Sequence, residues 1–377
     1  MKKQIKFLLI ASYPESVLKF RKELLQSILS RSISVHLISP RFSSSKSDKK
    51  IIENMGIKIH ELSLSRSTIN PLKDIYSFIK ILLVLKEVRP QYVLAYTIKP
   101  VIYGLVASHI AKVPSSFALI TGLGYGFTGK VFGWKKVLRI VLHYMYKIAL
   151  RNSSKVFFQN RDDKQLFEKL NISPQSTKNI VVNGSGVNLQ DYPKSPLPEE
   201  ASFLMISRLL VNKGVREYAL AAERLKKVYP KVDFKLVGWI DENPDAIGHM
   251  ELNEWINRGV ISYLGKLENV RLAIAKTSAY VLPSYREGTP RTVLEAMSMG
   301  RPIITTDAPG CRETVDHGIN GYLVPVKSVD ALENAMRKLI INPKLFFEMG
   351  KESRRIVEEK YNVHNVNTFM LKEMGIN

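Results

Sequence analysis

Short apolar runs alternate with longer amphipathic segments along the first half of the chain. The runs begin with IKFLLIAS and SVHLISP and continue with IKIHELS, QYVLAYT, SFALIT, KVFFQN and NIVVNGS. The segments between them have a helical period, and they predict helices near 16–30, 72–88, 101–111, 133–151 and 161–170. Apolar strands separated by helices are typical of a parallel sheet that is covered on both faces.

A second alternation of the same kind fills the other half. The runs SFLMISR, DFKLVGW, VISYLG, AYVLPS and RPIITTD predict strands, with helices near 214–228, 247–257, 268–276 and 290–299 and further helix from about 328. The predicted fold class is therefore α/β, with two doubly wound parallel-sheet domains facing each other. Ligands of such sheets bind at the carboxyl ends of the strands, so we expect the chemistry in a cleft between the domains.

Proline and charge mark the boundary between the two halves. The segment VNLQDYPKSPLPEEAS, at 187–202, carries three prolines and no sustained period, which is typical of a linker. We predict an N-terminal domain over 1–190, a C-terminal domain over 200–355, and a last helix over 356–377 that can cross back to the N-terminal domain. The polar segment SSSKSDKK near 43–50 is predicted to be a loop.

Composition narrows the class of protein. The 377 residues are 45% hydrophobic and 24% charged, as in ordinary globular proteins. Cys311 is the single cysteine, which excludes an internal disulfide and a cysteine-based metal site. No run reaches the roughly 20 apolar residues of a membrane-spanning helix, and charged residues follow KKQIKFLLIAS too soon for a signal peptide. We therefore expect a cytoplasmic protein that spans no membrane.

The net charge of +22 is concentrated in one half. Residues 1–190 hold 30 basic and 10 acidic side chains, whereas residues 191–377 hold 26 and 24. No acidic residue lies between Glu87 and Asp162. The predicted helix 133–151 carries basic residues four apart, beside apolar ones: Lys135, Arg139, His143, Lys147 and Arg151. This pattern favours a helix on an anionic membrane; a solvated helix face and a nucleic-acid surface are the alternatives, and no nucleic-acid-binding motif is seen.

The segment SYREGTPRTVLEAMSMG carries two carboxylates around the start of a predicted helix. Glu287 precedes the turn Gly288-Thr289, and Glu295 lies within the helix that follows. Backbone N–H groups at a helix N-terminus attract anions such as a diphosphate. Glu287 and Glu295 can then accept hydrogen bonds from hydroxyls on either side, which is the arrangement of a nucleotide sugar. One such Glu alone is as well explained by a helix cap or a surface charge.

Two cations strengthen the prediction of a diphosphate site. In MISRLLVNKGV, Arg208 and Lys213 follow a predicted strand, and Gly214 begins the next helix. A bidentate guanidinium and a flexible ammonium can offset the charge that develops on a departing nucleoside diphosphate.

These motifs together resemble a known family. SRLLVNKG, the later EGTPRTVLEAMSMGRPIITTD and then ETVDHGINGYLVP are similar to the retaining glycosyltransferases of family 4, which have the GT-B fold of two facing Rossmann-like domains. The resemblance covers most of residues 180–345. In the first half SYPESVLKFRKEL, YTIKPVIYGLVAS, ITGLGYGFTG, FFQNRDD and VNGSGVNLQDY resemble the subgroup that builds bacterial surface polysaccharides and glycans on polyprenyl diphosphate carriers.

The resemblance implies a role for each matching residue. Arg208 and Lys213 hold the donor diphosphate and Glu287 binds the transferred sugar, which makes these three the predicted catalytic residues. Glu295 binds the ribose. The predicted donor-binding residues are Gly288, Thr289, Arg291, Thr292 and Glu295. The candidates for acceptor or membrane contact are Lys99, Thr121, Lys135, Lys136, Arg139 and Lys147.

Two departures from the family pattern affect the chemistry. The loop SYPESVLKF lacks the glycines that many relatives place there. Thr121-Gly122 stands where many relatives have a histidine. Since neither residue can act as a base, no protein base is assigned. Retention can proceed by front-face attack, with the leaving phosphate accepting the proton. No Asp-x-Asp motif is present, so we expect no metal and no cofactor.

The sequence thus predicts a retaining glycosyltransferase that moves a sugar from a UDP-sugar to a polyprenyl-diphosphate-linked saccharide. N-acetylgalactosamine is the first choice among N-acetylhexosamines and hexoses. The expected place is the cytoplasmic face of the bacterial inner membrane, bound peripherally to its anionic surface, with no nucleic acid as partner. A UDP-N-acetylhexosamine epimerase of the same fold, or a non-enzymatic binder of anionic lipid or nucleic acid, are the alternatives.

Overall fold

The computed structural model describes residues 4–42, 46–62, 70–123, 127, 133–173, 178–241 and 243–376. The chain divides into two compact units. The first unit comprises Met1–Ser185 and His364–Asn377, and the second comprises Gly186–Val363. The predicted domain limits at 190, 200 and 355 stay predictions.

A parallel sheet forms the centre of the first unit. Its strands in the described residues are β1 (Lys6–Ile10), β2 (Ser34–Ser39), β3 (Lys58–Glu61), β4 (Tyr92–Tyr96), β5 (Ser115–Ile120), β6 (Lys155–Phe158) and β7 (Lys178–Val181). They lie in the order β3-β2-β1-β4-β5-β6-β7. Leu8 of β1 pairs with His36 on one side and with Val93 on the other. Strand order therefore reverses at β1, as in doubly wound folds.

Helices connect these strands. They are α1 (Glu15–Leu29), α2 (Lys46–Asn54), α3 (Pro71–Val88), α4 (Leu105–Ile110), α5 (Trp134–Arg151) and α6 (Arg161–Lys169), and a π-helical turn, Pro100–Gly104, leads directly into α4. The prediction of a loop near 43–50 is wrong from Lys46 onward, because α2 starts there and buries Ile52 completely in the core. The predicted helix over 133–151 is confirmed by α5.

Two separate cores cover the faces of this sheet. Phe7 and Leu9 of β1 pack with residues of α1 and α2, whereas Leu8 and Ile10 pack with residues of α3, α4, α5 and α6. Side chains alternate between the faces of a strand, so one apolar run supplies both cores. Helices α3, α4 and α5 thus belong to one layer on one face of the sheet.

The second unit repeats the design. Its strands in the described residues are β8 (Ser202–Ile206), β9 (Asp233–Val237), β10 (Ser262–Tyr263), β11 (Ala279–Leu282), β12 (Ile303–Thr306) and β13 (Gly321–Val324). Its helices are α7 (Val215–Val228), α8 (His249–Asn257), α9 (Arg271–Ala275), α10 (Arg291–Ser298), α11 (Val329–Ile341) and α12 (Lys344–Lys360). The strand order is β10-β9-β8-β11-β12-β13, with every pairing parallel. The predicted α/β alternation is confirmed in both units.

The proline-rich segment 187–202 packs against the second unit. Arg301 is fully buried two residues before β12, and it donates hydrogen bonds to Ser195 and Pro196 of this segment and to the carbonyls of Ile274, Ala275 and Met299. Burial lowers the pKa of Arg301 to about 10, still far above neutral, so the guanidinium keeps its charge. The buried guanidinium of Arg301 therefore holds the predicted linker against the second unit.

The last helix, α13 (Val363–Met374), belongs to the first unit from His364 on. Its residues Val366 and Met370 join the same core as α1 and α2. Lys155 and Glu373 form an ion pair at 2.9 Å. Among the helices in the described part of the chain, none is long and apolar enough to span a bilayer.

Candidate active site

The predicted diphosphate cations follow β8. Arg208 lies in the loop that leads to a 3-10 turn, Val211–Lys213, and Gly214 then begins α7 with φ of +76°. A Cβ at Gly214 would lie 2.2 Å from the Pro283 carbonyl oxygen at the end of β11. Only glycine permits this close approach, which brings the end of β8 against the end of β11.

Lys213 and Glu287 form an ion pair at 2.5 Å, although 74 residues separate them. Both side chains are largely buried, with 18% and 16% exposed. The backbone N–H of Glu287 donates to the Pro309 carbonyl at 2.9 Å, which fixes the loop after β11. The structure therefore brings the predicted phosphate cation and the predicted sugar-binding carboxylate to one point.

Gly310 supports this loop, and the sequence analysis did not single it out. It has φ of +80°, and a Cβ there would lie 2.2 Å from the Glu287 carbonyl oxygen and 2.4 Å from that of Gly288. The signal that could have identified it is the turn sequence APGC after β12. Gly310 therefore positions the backbone of the predicted sugar-binding residues.

Arg208 is held by a different partner. Its Nη1 lies 3.0 Å from Oδ2 of Asp241, and the other carboxylate oxygen of Asp241 accepts from the Asn243 N–H at 3.0 Å. Asp241 follows β9 and was not predicted. The structure thus fixes the two predicted cations through separate carboxylates.

Glu295 lies within α10 and is 2% exposed. Arg291, one turn earlier, donates through Nε to Glu295 at 3.1 Å, and the hydroxyl of Tyr192 also hydrogen-bonds Glu295. Burial, and then the Glu295 charge, raises the pKa of Tyr192 well above its usual range. Nη1 of Arg291 is buried and has no hydrogen-bond partner among the described residues, so it is a donor available to a ligand. Tyr192, like Gly310 and Asp241, was not predicted from the sequence.

Thr292 has a structural contact. Its hydroxyl lies 2.7 Å from the hydroxyl of Tyr280, which donates to the Ile206 carbonyl at 3.1 Å. Thr292 thereby ties α10 to β11 and, through Tyr280, to the end of β8. Its predicted donor contact stays a prediction. Gly288 and Thr289 lie between Glu287 and the N-cap residue of α10, Pro290.

Cys311 lies beside the loop that carries Glu287, and it is buried. Burial, followed by the Glu287 charge, raises its pKa to about 12, so the thiol stays neutral at physiological pH. In the described residues no group of three or more His, Cys, Asp and Glu side chains is placed to hold a metal ion.

The predicted acceptor and membrane residues lie in the first unit. Lys99 pairs with Asp74 of α3 at 2.6 Å, and Thr121 directly follows β5. On α5, Lys136 and Lys147 are exposed, whereas Arg139 is half-buried. The side chain of Lys135, and residues 124–126 and 128–129 of the ITGLGYGFTG motif, lie outside the described residues.

Comparisons with known proteins define the class of protein. A family model described as glycosyl transferases group 1 matches residues 200–342, and one described as glycosyl transferase 4-like matches residues 8–160. The chain therefore belongs to the family-4 glycosyltransferases, as the sequence predicts. It is a glycosyltransferase.

Solved structures agree with this fold. Sucrose-phosphate synthase from Thermosynechococcus elongatus is 17% identical with a TM-score of 0.78, over 98% of both chains. Anabaena HepE in complex with UDP is 17% identical with a TM-score of 0.77, over 99% of this chain and 100% of that one. The predicted GT-B fold class is thereby confirmed.

Two curated relatives are similar over most of their length. The N,N'-diacetylbacillosaminyl-diphospho-undecaprenol alpha-1,3-N-acetylgalactosaminyltransferase of Campylobacter jejuni is 28% identical over 352 residues, 90% of each chain. The UDP-Gal:alpha-D-GlcNAc-diphosphoundecaprenol alpha-1,3-galactosyltransferase of Escherichia coli is 24% identical over 310 residues, 78% of each chain.

Proposed function

We propose that this glycosyltransferase moves a sugar from a UDP-sugar to a saccharide on undecaprenyl diphosphate, with retention at the anomeric carbon. N-acetylgalactosamine is the proposed sugar, and the cytoplasmic face of the bacterial inner membrane is the proposed place. The observation that carries the proposal is the Lys213–Glu287 ion pair at 2.5 Å, where the ends of β8 and β11 meet. One cation and one carboxylate side by side suit a phosphate joined to a polyhydroxylated ring.

The division of roles follows from charge. Lys213 and Arg208 carry the positive charge that the two phosphates of the donor require, and Glu287 accepts hydrogen bonds from sugar hydroxyls. Glu295 accepts from the ribose hydroxyls, and the partnerless Nη1 of Arg291 supplies a further donor. During transfer the bond from the anomeric carbon to the β-phosphate oxygen breaks. A bond from the acceptor oxygen forms on the same face, and the acceptor proton passes to the departing phosphate.

In the proposed transfer reaction, the cations Lys213 and Arg208 take the place of a divalent metal ion. Stabilisation of the developing phosphate charge by prepositioned cations is the largest contribution such a site can make. The ion pairs of Lys213 with Glu287 and of Arg208 with Asp241 hold both cations near the ends of parallel strands before the donor arrives. We therefore propose transfer without a divalent metal.

The choice of substrates rests on the relatives. The names of the Campylobacter jejuni and Escherichia coli relatives both specify an undecaprenyl-diphosphate-linked acceptor, and the first specifies N-acetylgalactosamine. HepE, which shares the fold, was solved with UDP and with UDP-glucose. A UDP-sugar donor and a lipid-linked acceptor are therefore the substrates to test first.

The experiment is a donor screen with two synthetic undecaprenyl-diphosphate monosaccharides as acceptors, which carry N,N'-diacetylbacillosamine and N-acetylglucosamine as in the names of the two relatives. UDP-GalNAc, UDP-GlcNAc, UDP-galactose, UDP-glucose and GDP-mannose are compared by nucleotide release and by NMR of the product, with and without EDTA. We expect transfer from UDP-GalNAc, an α-linked product and full activity in EDTA. Release of a free, epimerised sugar without acceptor would indicate the epimerase instead, and loss in EDTA restored by magnesium would refute the metal-free scheme.

We also propose that α5 holds the enzyme against anionic lipid. Its exposed side chains are mostly apolar: Trp134, Val137, Ile140, Val141, Tyr144 and Ile148. Lys136, Lys147 and Arg151 are exposed on the same helix. The half-buried Arg139 and His143 turn partly inward, and His143 stacks on Phe127 at 4.7 Å. An apolar stripe beside basic residues is typical of a helix lying on an anionic membrane.

Liposome flotation tests the role of α5. Each near-surface cation contributes on the order of 1 kcal/mol, so Lys136→Gln, Lys147→Gln and Arg151→Gln together should weaken binding to phosphatidylglycerol liposomes roughly a hundredfold at 0.1 M salt. Donor binding should not change, because the donor residues lie in the other unit. Equal flotation of the variant and the wild type would mean that α5 is only a solvated face.

A further inference from the structure

Helix α3 has two apolar faces. The inner face buries Ile81, Leu85 and Val88 in the core of the first unit. The outer face exposes five large side chains, which we call the α3 ridge: Leu72, Ile75, Tyr76, Ile79 and Leu83. Between 48% and 81% of each residue in the ridge is accessible to solvent. A helix at the surface of a globular protein normally has one apolar stripe and a polar outer face.

The α3 ridge is a continuous stripe. At 100° per residue its members fall within an arc of about 100°, on the opposite side of the helix from Ile81 and Leu85. From Leu72 to Leu83 the ridge is about 16 Å long, at 1.5 Å per residue. An exposed apolar stripe of this length marks an interaction surface.

The ridge lies in the same helical layer as α5. Helices α3, α4 and α5 pack on one face of the sheet, with α4 contacting both of the others. Ile110 at the end of α4 is also exposed. The outer surface of this layer therefore presents apolar side chains from three neighbouring helices.

Charge distinguishes α3 from α5. Lys73, Lys80 and Lys86 of α3 are nearly balanced by Asp74 and Glu87, whereas α5 carries five basic residues and no acidic one. Asp74 is itself paired with Lys99 at 2.6 Å, and the Lys80 ammonium lies 5.5 Å from the centre of the Tyr76 ring. A lysine beside an interfacial aromatic is typical of side chains at a membrane surface, with the apolar part buried and the charge in water.

We propose that the α3 ridge inserts into the headgroup–acyl boundary of an anionic bilayer as the apolar anchor of the first unit. The long basic region from Arg89 to Arg161, which contains no acidic residue, complements such a surface. In this arrangement the basic residues of α5 supply the salt-dependent attraction, and the α3 ridge adds a salt-independent contribution to that of the apolar side chains of α5. The inference deepens the proposed membrane docking, and it rests on that proposal only for the anionic charge of the lipid.

The test compares two sets of substitutions in the full chain. The ridge variant carries Ile75→Gln, Ile79→Gln and Leu83→Gln, and liposome flotation is measured at 0.1 M and 1 M salt. Because burial of an aliphatic side chain is worth about 1.5–3 kcal/mol when complete, the three changes should weaken binding roughly a hundredfold or more. The defect should persist at 1 M salt, where the α5 charge variant no longer differs from wild type because screening acts within about 3 Å.

The matched control variant replaces three exposed apolar residues of the second unit and carries Leu220→Gln, Met250→Gln and Leu272→Gln. It should float like the wild type. UDP binding and thermal unfolding of every variant show that the fold is kept. Flotation of the ridge variant equal to that of wild type, or a defect that disappears at 1 M salt, overturns the proposal. If the wild-type protein floats with liposomes but transfers no sugar in the donor screen, the proposed function is contradicted while the α3 ridge proposal stands.

A second measurement detects membrane insertion directly and does not depend on a loss of liposome binding. Leu83→Trp in a chain whose three native tryptophans are replaced by Phe should show a blue-shifted emission on liposomes and quenching by brominated acyl chains. Emission unchanged by lipid overturns the proposal. A dimer in sedimentation analysis that the ridge substitutions abolish would do the same, because the ridge would then cover a second copy of the chain.

Discussion

The two units use their charged and apolar surfaces differently. In the second unit many exposed arginines pair with carboxylates of the same unit, as Arg216 does with Glu251 at 2.6 Å and Arg355 with Glu359 at 2.9 Å. In the first unit α5 has exposed basic residues with no acidic residue on the helix, and α3 has exposed aliphatic ones. Nearly the whole net charge, +20 of +22, falls within residues 1–190.

This difference indicates a division of labour. Cations that already have a carboxylate partner add little attraction for an external anion, since much of their field is cancelled nearby. On α5, Lys136, Lys147 and Arg151 are exposed, at a surface that also offers apolar side chains. The second unit keeps its functional cations, Arg208 and Lys213, at the strand ends. We therefore expect membrane binding and donor binding to respond to separate substitutions.

The largest expected effect is on transfer, from Lys213→Ala or Glu287→Ala. Each removes half of a partly buried pair that acts on charge and hydroxyl positioning, so turnover should fall about 100-fold to 1000-fold. Flotation should be unchanged. Arg216→Ala, which breaks an exposed ion pair of the same unit, is the matched control and should keep activity. Near-wild-type turnover in either variant would remove the site assignment.

The sequence is informative about this site because the motifs are local. Arg208, Lys213, Glu287 and Glu295 each stand at a fixed offset from a strand or helix that hydrophobic periodicity identifies. Their pairing is not local, since Lys213 meets Glu287 across 74 residues. Gly310 escaped notice for the same reason, because its need for a left-handed conformation arises from a backbone that only the folded chain brings close.

The properties of the surface were harder to predict from the sequence than the helices and strands were. The boundaries of α3, α5 and α7 agree closely with the predicted 72–88, 133–151 and 214–228. Periodicity identified a helix at α3 but gave no sign that its second apolar face stays exposed, because an all-round apolar helix is equally typical of a core. Helix α2 was missed because most of its residues, among them three lysines and Ser47, are polar and only Ile52 is buried.

The next effect is on stability, and it tests whether the second unit depends on its internal polar contacts. Arg301→Met should lower the free energy of unfolding by about 3 kcal/mol, because it leaves several buried carbonyl acceptors without a donor. Urea unfolding measures the change. Arg312→Met, which breaks an exposed pair with Asp307, serves as the control and should cost less than 1 kcal/mol, roughly the upper value for a surface ion pair. A similar stability in both variants would contradict the role of Arg301.

A pH effect should be specific to the first unit. Burial, then the neighbouring His60 and the cations Lys58 and Lys6, lowers the pKa of His36 from 6.5 to about 4. His36 Nδ1 lies 3.0 Å from His60 Nε2, and burial also lowers the pKa of His60, against the opposing effect of Glu87. The unfolded chain therefore binds more protons than the folded one between pH 6.5 and 4.

The stability that the neutral, buried His36 contributes to the folded chain is fully present above pH 6.5, and it is lost as the pH falls toward 4. Between pH 7.5 and 5 the free energy of unfolding should drop by about 2 kcal/mol from His36 alone. His36→Gln should flatten this dependence in urea unfolding, whereas His249→Gln, an exposed histidine of the second unit, should leave it unchanged. An equal pH dependence in wild type and His36→Gln would show that the histidine pair is not its source.

The smallest expected effect concerns Tyr192, which acts through Glu295. Its hydroxyl and Arg291 both hydrogen-bond the Glu295 carboxylate, so Tyr192→Phe removes one of two groups that hold the predicted ribose acceptor in place. A hydrogen bond to a charged carboxylate contributes about 1.5 kcal/mol or more, which corresponds to a roughly tenfold rise in KM for the UDP-sugar with little change in kcat. Tyr322→Phe on β13 is the matched control. A fall in kcat at unchanged KM would assign Tyr192 to the transfer step, and no change at all would show that Arg291 positions Glu295 unaided.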